Sequence, residues 1–168
     1  MKDTQIKKIV YSALFAALCC VATMVIRIPT PTGGYVNAGD AVVLLGAFML
    51  GPVWGACAAG LGSGLADLIA GYALYVPGTF VVKALVALIA AFIVKRFPEN
   101  KLAVGTVVAG AVAELWMVLG YFLYEALILG YGWAAAGSVL GNLAQAVFGT
   151  AAGAALFLAL SKVKRTSV

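Results

Sequence analysis

The stretch GYVNAGDAVVLLGAFMLGP, residues 34–52, places one acidic residue at the start of a short apolar run. Asp40 is followed by ten residues, 41–50, without a charged side chain, and Gly51-Pro52 closes the run. A helix that crosses a bilayer needs about 20 apolar residues. The run is therefore either a buried helix of a soluble protein or a membrane helix that begins with Asp40 inside the lipid layer.

The composition of the whole chain decides between these two readings. Of its 168 residues, 64% are hydrophobic and only 10% are charged, whereas charged residues make up about 25% of an ordinary soluble domain. A soluble fold of this length cannot bury so much apolar surface, so the chain is predicted to be an integral membrane protein. The apolar stretch 9–26 is longer than a signal-peptide core and lacks a clear cleavage site, which indicates a first spanning helix.

Glycine, proline and charge clusters divide the chain into six predicted helices, over residues 6–28, 38–50, 53–71, 79–97, 102–129 and 135–160. We expect one all-α domain over 1–168 with six transmembrane helices. Nine of the eleven basic residues fall at positions that six spans place on one side: Lys2, Lys7, Lys8, Lys95, Arg96, Lys101, Lys162, Lys164 and Arg165. The positive-inside rule makes that side, with both termini, cytoplasmic.

Counting helical rise from the cytoplasmic turns places four ionisable side chains at one depth. At 1.5 Å per residue, each lies about 17–20 Å above its turn, and the four are Asp40, Asp67, Lys83 and Glu114. Charges inside a membrane are costly and usually functional. The pattern predicts a polar binding layer, although a structural ion pair between Lys83 and Asp40 or Asp67 is the simpler alternative.

Further polar side chains are expected just outside this layer. Asn142 and Gln145 are three apart on the last helix, which makes them neighbours on its surface. Glu114, Tyr121 and Glu125 share one face of the fifth helix, although Glu125 lies near the outer surface and is predicted to be solvated. Loop residues can close the top of the pocket: Tyr35, Asn37, Tyr75 and Trp133. For Tyr75 and Trp133 the alternative is a place in the aromatic belt at the membrane interface. The predicted substrate-binding set is Asn37, Asp40, Asp67, Tyr75, Lys83, Glu114, Tyr121, Asn142 and Gln145.

No catalytic constellation is visible in the sequence. The chain has no histidine, no nucleophile paired with a base, no Walker motif and no metal-ligand spacing. Its three cysteines lie within apolar runs, where packing is the expected role. We therefore predict a binding protein that is not an enzyme, with no metal, no cofactor and no nucleic-acid partner.

Four segments stand out along the chain: ALFAA (13–17), NAGDAVVLLGAFMLGPVWG (37–55), GSGLADLIAGY (62–72) and PGTFVVKALVALIAAFIVKR (77–96). Together they resemble the substrate-binding S component of energy-coupling factor (ECF) vitamin transporters, and the resemblance covers nearly the whole chain. The resemblance implies a multi-pass protein of a prokaryotic cell membrane that captures a vitamin from outside. It also implies partners, a transmembrane coupling protein that contacts Ala13 and Ala17 and two cytoplasmic ATPases, and gating of the pocket by the first and third loops.

The charges favour some vitamins over others. Three carboxyl groups against one lysine favour a neutral or cationic ring compound over a dianion. The expected order is a vitamin B6 vitamer, then riboflavin, then hydroxymethylpyrimidine, then the anion pantothenate. Two other functions stay open at this point: a structural or assembly membrane protein without a ligand, and an autonomous ion-coupled carrier, against which the lack of a visible inverted repeat counts.

Overall fold

The computed structural model describes the backbone of residues 2–166 and the side chains of residues 4–162, so the side chains of Lys2, Lys164 and Arg165 lie outside the described part. The fold is helical. Its six main helices are α1 (Lys2–Val25), α2 (Asp40–Leu50), α3 (Pro52–Ile69), α4 (Val76–Val94), α5 (Leu102–Leu123) and α6 (Ala136–Thr166). A π turn (Tyr124–Ile128) continues α5, and 3-10 turns cover Glu99–Lys101 and Gly132–Ala135.

Within the described residues, four helical segments are long and apolar enough to cross a membrane: Thr4–Val25, Val76–Val94, Glu99–Ile128 and Gly132–Lys162. Helix α2 has 11 residues, which is too short to cross a bilayer alone. Helix α3 is not among the four segments. The chain is thus a helical membrane protein, and the count of six spans stays a prediction.

The predicted first loop contains a small antiparallel hairpin, which is the one sheet among the described residues of an otherwise helical fold. Strand β1 (Arg27–Pro29) pairs with β2 (Tyr35–Asn37), and Ile28 lies opposite Val36. These β-branched residues favour strands, whereas Gly33, with φ of +79°, permits the turn. Helix α1 consequently ends at Val25 instead of residue 28.

Helix α4 also begins earlier than predicted, at Val76 instead of residue 79. The prediction left Pro77 in the loop, but proline is well tolerated in the first turn of a helix because its missing N–H would have no partner there. Tyr75 therefore lies directly at the N-terminus of α4, beside the hairpin.

Helix α2 lies in the interior of the bundle and packs against α3, α4 and α6. Its residues Val43 and Leu44 belong to the main apolar core together with Val86 of α4 and Met117 of α5, and all four are at most 1% exposed. This central position explains the short helix. Its first residue, Asp40, is fully buried because the hairpin brings the chain into the bundle before α2 begins.

Helices α1 and α3 approach each other closely at Gly62. A Cβ at this position would lie 2.3 Å from the carbonyl oxygen of Ala16 and 2.8 Å from Cβ of Cys19. Small residues permit such contacts between membrane helices. We expect Gly62→Ala to push the helices apart and destabilise the protein by about 1–3 kcal/mol, measured by denaturant unfolding in detergent.

Gly64 on the same helix supplies a matched control for this prediction. A Cβ there would meet its nearest atom at 3.8 Å, which is ordinary van der Waals contact, and alanine is the better helix former. Gly64→Ala is expected to leave stability unchanged or raise it slightly. Equal losses for the two variants would contradict the close contact at Gly62.

Candidate ligand-binding site

A narrow polar cavity lies among the helices, under the hairpin. Six of the predicted site residues line it: Asn37, Asp67, Tyr75, Lys83, Tyr121 and Asn142. Its free volume is about 20 Å³, slightly more than the ~10–15 Å³ that one water molecule requires. The other three predicted residues, Asp40, Glu114 and Gln145, are not among the residues that line it.

Asp40 and Lys83 form a buried ion pair at the base of the cavity. Asp40 is the first residue of α2, where the positive end of the helix dipole favours a carboxylate. Lys83 is 1% exposed and is close enough to interact electrostatically with Asp67 and Glu114 as well. The predicted charged layer therefore exists as a cluster, with Lys83 at its centre.

Gln145 connects the ion pair to the hairpin. Its Nε2 donates a hydrogen bond to Oδ2 of Asp40 at 2.5 Å, and its Oε1 accepts one from the backbone N–H of Asn37, also at 2.5 Å. The side-chain oxygen of Asn37 accepts a hydrogen bond from the N–H of Gly39 at 2.8 Å. Gln145 thus fixes the segment between β2 and α2 and does not face the cavity.

Glu114 lies at the junction of α2, α5 and α6, away from the cavity. Its side chain is fully buried, and neither carboxyl oxygen has a hydrogen-bond partner within residues 4–162. The carboxyl group packs over Gly149, where a Cβ would lie 3.3 Å from Oε1 of Glu114 and 2.7 Å from Cβ of Asp40. The expectation that Glu114 faces the cavity is therefore wrong, because sharing a depth does not fix the direction of the side chain.

Asp67 holds the hairpin over the cavity. Its Oδ1 accepts a hydrogen bond from the Tyr35 hydroxyl at 2.5 Å. Burial raises the pKa of the Tyr35 phenol above its usual value, and the hydrogen bond to Asp67 raises that pKa further. Tyr35 therefore remains a protonated donor at physiological pH. Tyr121 donates similarly to the Thr79 hydroxyl at 3.0 Å.

Glu125 was predicted to be solvated, but it is a central residue of the site. It is 2% exposed, and its carboxylate accepts hydrogen bonds from the Thr32, Tyr75 and Ser138 hydroxyls at 3.0, 3.1 and 2.5 Å. The π turn that contains Glu125 is a feature often found at functional sites. The solvated prediction is wrong because the hairpin turn and the start of α6 cover this carboxylate.

The outer aromatic residues divide into two groups. Tyr75 is 8% exposed and lines the cavity, and burial raises the pKa of its phenol. Trp133 is 87% exposed and contacts the ring of Phe122 instead. Trp133 therefore does not help to close the pocket, and its exposed ring fits the alternative reading as a membrane-interface residue.

A polar cavity between the helices of a bundle is typical of proteins that bind a small molecule. A family model described as ECF-type riboflavin transporter, S component, matches residues 3–162. The chain belongs to this family, and it is therefore a substrate-binding subunit of an ECF transporter, as the sequence resemblance predicted. It is also similar to an uncharacterised protein in the gap 3′ region of Pyrococcus woesei, with 38% identity over 144 residues, which cover 84% of this chain and 93% of the relative.

Proposed function

We propose that the chain captures riboflavin from outside the cell for ATP-driven uptake. The observation that carries this proposal is the cavity, which is lined by polar and aromatic side chains. The description of the family names riboflavin as the transported compound. Tyr35, Tyr75 and Tyr121 line the cavity, and tyrosine rings stack readily on planar ring systems. The family description moves riboflavin ahead of the B6 vitamer that the charge argument alone ranked first.

The charge arrangement supports a neutral ligand. Lys83 is the one cationic side chain among the described residues that line the cavity, and Asp40 already neutralises it. Asp67 and Glu125 add two carboxyl groups to the lining. An anion such as pantothenate would meet these carboxyl groups without a free cation, whereas the uncharged riboflavin would meet hydrogen-bonding groups.

Binding requires the cavity to open. Pockets for small molecules usually measure about 300–1,000 Å³, and this cavity holds about 20 Å³. The hairpin is the element that we expect to move. Side-chain hydrogen bonds to Asp67 and Glu125 hold it against the bundle, and an entering ligand can replace them. The ligand would displace the hairpin on entry, and the hairpin would then close over it.

The proposal includes six spans, both termini in the cytoplasm and docking on a transmembrane coupling protein with two cytoplasmic ATPases. The Gly51 turn lies beside Lys95, since a Cβ at Gly51 would be 3.6 Å from Nζ of that lysine. This contact supports a common cytoplasmic end for the two loops. Ala13 and Ala17 are both exposed on α1, which supports a docking face for the coupling protein.

Riboflavin binding to the purified protein is the test of this proposal. At a riboflavin concentration of about 100 times Kd, mass action adds ~2.7 kcal/mol to the stability of the folded state. We expect a rise in melting temperature and quenching of flavin fluorescence. Pyridoxine, hydroxymethylpyrimidine and pantothenate form the comparison panel.

The other outcomes of this panel identify the alternatives. A response to pyridoxine without a response to riboflavin would favour the B6 vitamer. The absence of any response would favour a structural membrane protein. Solute flux into liposomes that contain only this chain would favour an ion-coupled carrier, since a subunit that depends on partner ATPases does not pump alone.

A further inference from the structure

We infer that Thr23, Ser63 and Asp67 form a subsite that binds the hydroxyl-bearing chain of the ligand. All three residues line the polar cavity. Only Asp67 was predicted as a binding residue, and Thr23 and Ser63 carry no sequence signal that separates them from packing residues. The inference rests on the proposed function and adds which part of the ligand binds where.

The three side chains carry buried oxygen atoms without a partner. Thr23, Ser63 and Asp67 are 3%, 1% and 4% exposed. Within residues 4–162, Oγ1 of Thr23, Oγ of Ser63 and Oδ2 of Asp67 have no hydrogen-bond partner. Most buried polar atoms in proteins are hydrogen-bonded, so three such atoms on one cavity wall indicate a place where an external polar group binds.

The local structure brings these three residues to the cavity wall. Ser63 and Asp67 are four residues apart on α3, so they share a face of the helix. Thr23 comes from α1 and occupies the space beside Gly39, where a Cβ would lie 2.1 Å from its Oγ1. The missing side chain at Gly39 is therefore what lets the Thr23 hydroxyl lie at the cavity wall.

The chemistry of the subsite matches a polyhydroxylated chain. A threonine or serine hydroxyl both donates and accepts, whereas a carboxylate oxygen only accepts. Oδ1 of Asp67 accepts a hydrogen bond from the Tyr35 hydroxyl. The Thr79 hydroxyl is close enough to interact with the same carboxyl group, but Oδ2 has no partner within hydrogen-bond geometry in residues 4–162. Because each ligand hydroxyl also donates and accepts, a chain of hydroxyls satisfies all three free atoms, while a second carboxylate would be repelled. The planar ring would then lie against Tyr75 and Tyr121.

The test compares riboflavin with lumiflavin, which carries a methyl group in place of the ribityl chain. Ser63→Ala and Thr23→Val each remove one hydroxyl with little change in volume. One lost hydrogen bond corresponds to a roughly tenfold weaker Kd. We expect that weakening for riboflavin and less than a twofold change for lumiflavin, measured by quenching of flavin fluorescence.

Ligand-free stability separates this role from a structural one. Because both hydroxyls lack a partner, neither variant is expected to lower the melting temperature of the ligand-free protein. Thr106→Val is the matched control, since the Thr106 hydroxyl is buried but bonds the Ala103 carbonyl oxygen at 3.0 Å outside the cavity. This variant should leave both flavin affinities unchanged.

The outcomes distinguish the subsite from the proposed function. If the wild type binds riboflavin but the variants weaken both flavins equally, or weaken neither, the subsite is overturned and riboflavin binding stands. If the wild type binds neither flavin, riboflavin capture itself is overturned, together with the subsite that depends on it.

Discussion

Lys83→Met is expected to destabilise the protein by about 3–5 kcal/mol, because removing one partner of a buried ion pair leaves an uncompensated charge. Lys83 is the only cation that contacts the buried carboxylate of Asp40 within the described residues. Without it, Asp40 would retain only the hydrogen bond from Gln145, with Glu114 and Asp67 nearby. The buried cluster would then contain three neighbouring carboxyl groups and no cation within the described residues.

Asp40→Asn should cost less than Lys83→Met. Asparagine can still accept a hydrogen bond at this position. Glu114 also has two unpartnered oxygens and interacts electrostatically with Lys83, so a second carboxyl group stays near the lysine. Denaturant unfolding in detergent of the two single variants and the double variant gives the coupling energy of the pair. Lys95→Met, at an exposed lysine, is the control for loss of positive charge. A loss for Lys83→Met no larger than that of Lys95→Met would contradict the buried pair.

The common level of the charged residues could be predicted from the sequence, but the directions of their side chains could not. Helical rise and the position of the turns are enough to place Asp40 and Lys83 at one level, and the structure pairs them. The same count placed Glu114 at this level, yet its carboxyl group faces Gly149 instead of the cavity. The direction of a side chain depends on how each helix is rotated against its neighbours, and apolar residues all around a membrane helix leave that rotation undetermined.

The outer surface of the site was the least predictable part. The segment PTPTGG has the composition of a loop, and only the pairing of Ile28 with Val36 reveals a hairpin. The burial of Glu125 depends on Thr32, which lies 93 residues earlier in the chain. No local pattern reports such a contact, and a carboxylate near a helix end normally remains in water.

The buried hydroxyls on α1 and α3 show a further limit of sequence reasoning. Ser63 lies among small residues that also serve close helix packing, as Gly62 does. A packing serine and a binding serine look alike in sequence. The difference is the missing hydrogen-bond partner, which becomes visible only when the neighbouring helices are in place.

Glu125→Leu is expected to accelerate ligand release about 30-fold, since the closed hairpin would lose ~2 kcal/mol of hydrogen bonding. The Glu125 carboxylate accepts hydrogen bonds from three elements. The donors are Thr32 in the hairpin turn, Tyr75 at the start of α4 and Ser138 at the start of α6. A leucine cannot accept any of these hydrogen bonds. The closed and open positions of the hairpin would then differ less in free energy, and bound flavin would escape sooner.

The three donors have other acceptors, so the variant is expected to fold. The Thr32 hydroxyl lies 3.1 Å from the Thr30 hydroxyl. The Tyr75 hydroxyl lies 3.1 Å from the Thr32 carbonyl oxygen, and the Ser138 hydroxyl lies 3.0 Å from the Ala135 carbonyl oxygen, so each can donate there instead. Stopped-flow displacement of bound riboflavin measures the release rate, and Glu125→Gln, which keeps an acceptor oxygen, should show a smaller effect. A lower melting temperature of the ligand-free protein with an unchanged release rate would mean that Glu125 stabilises the bundle and does not hold the hairpin closed.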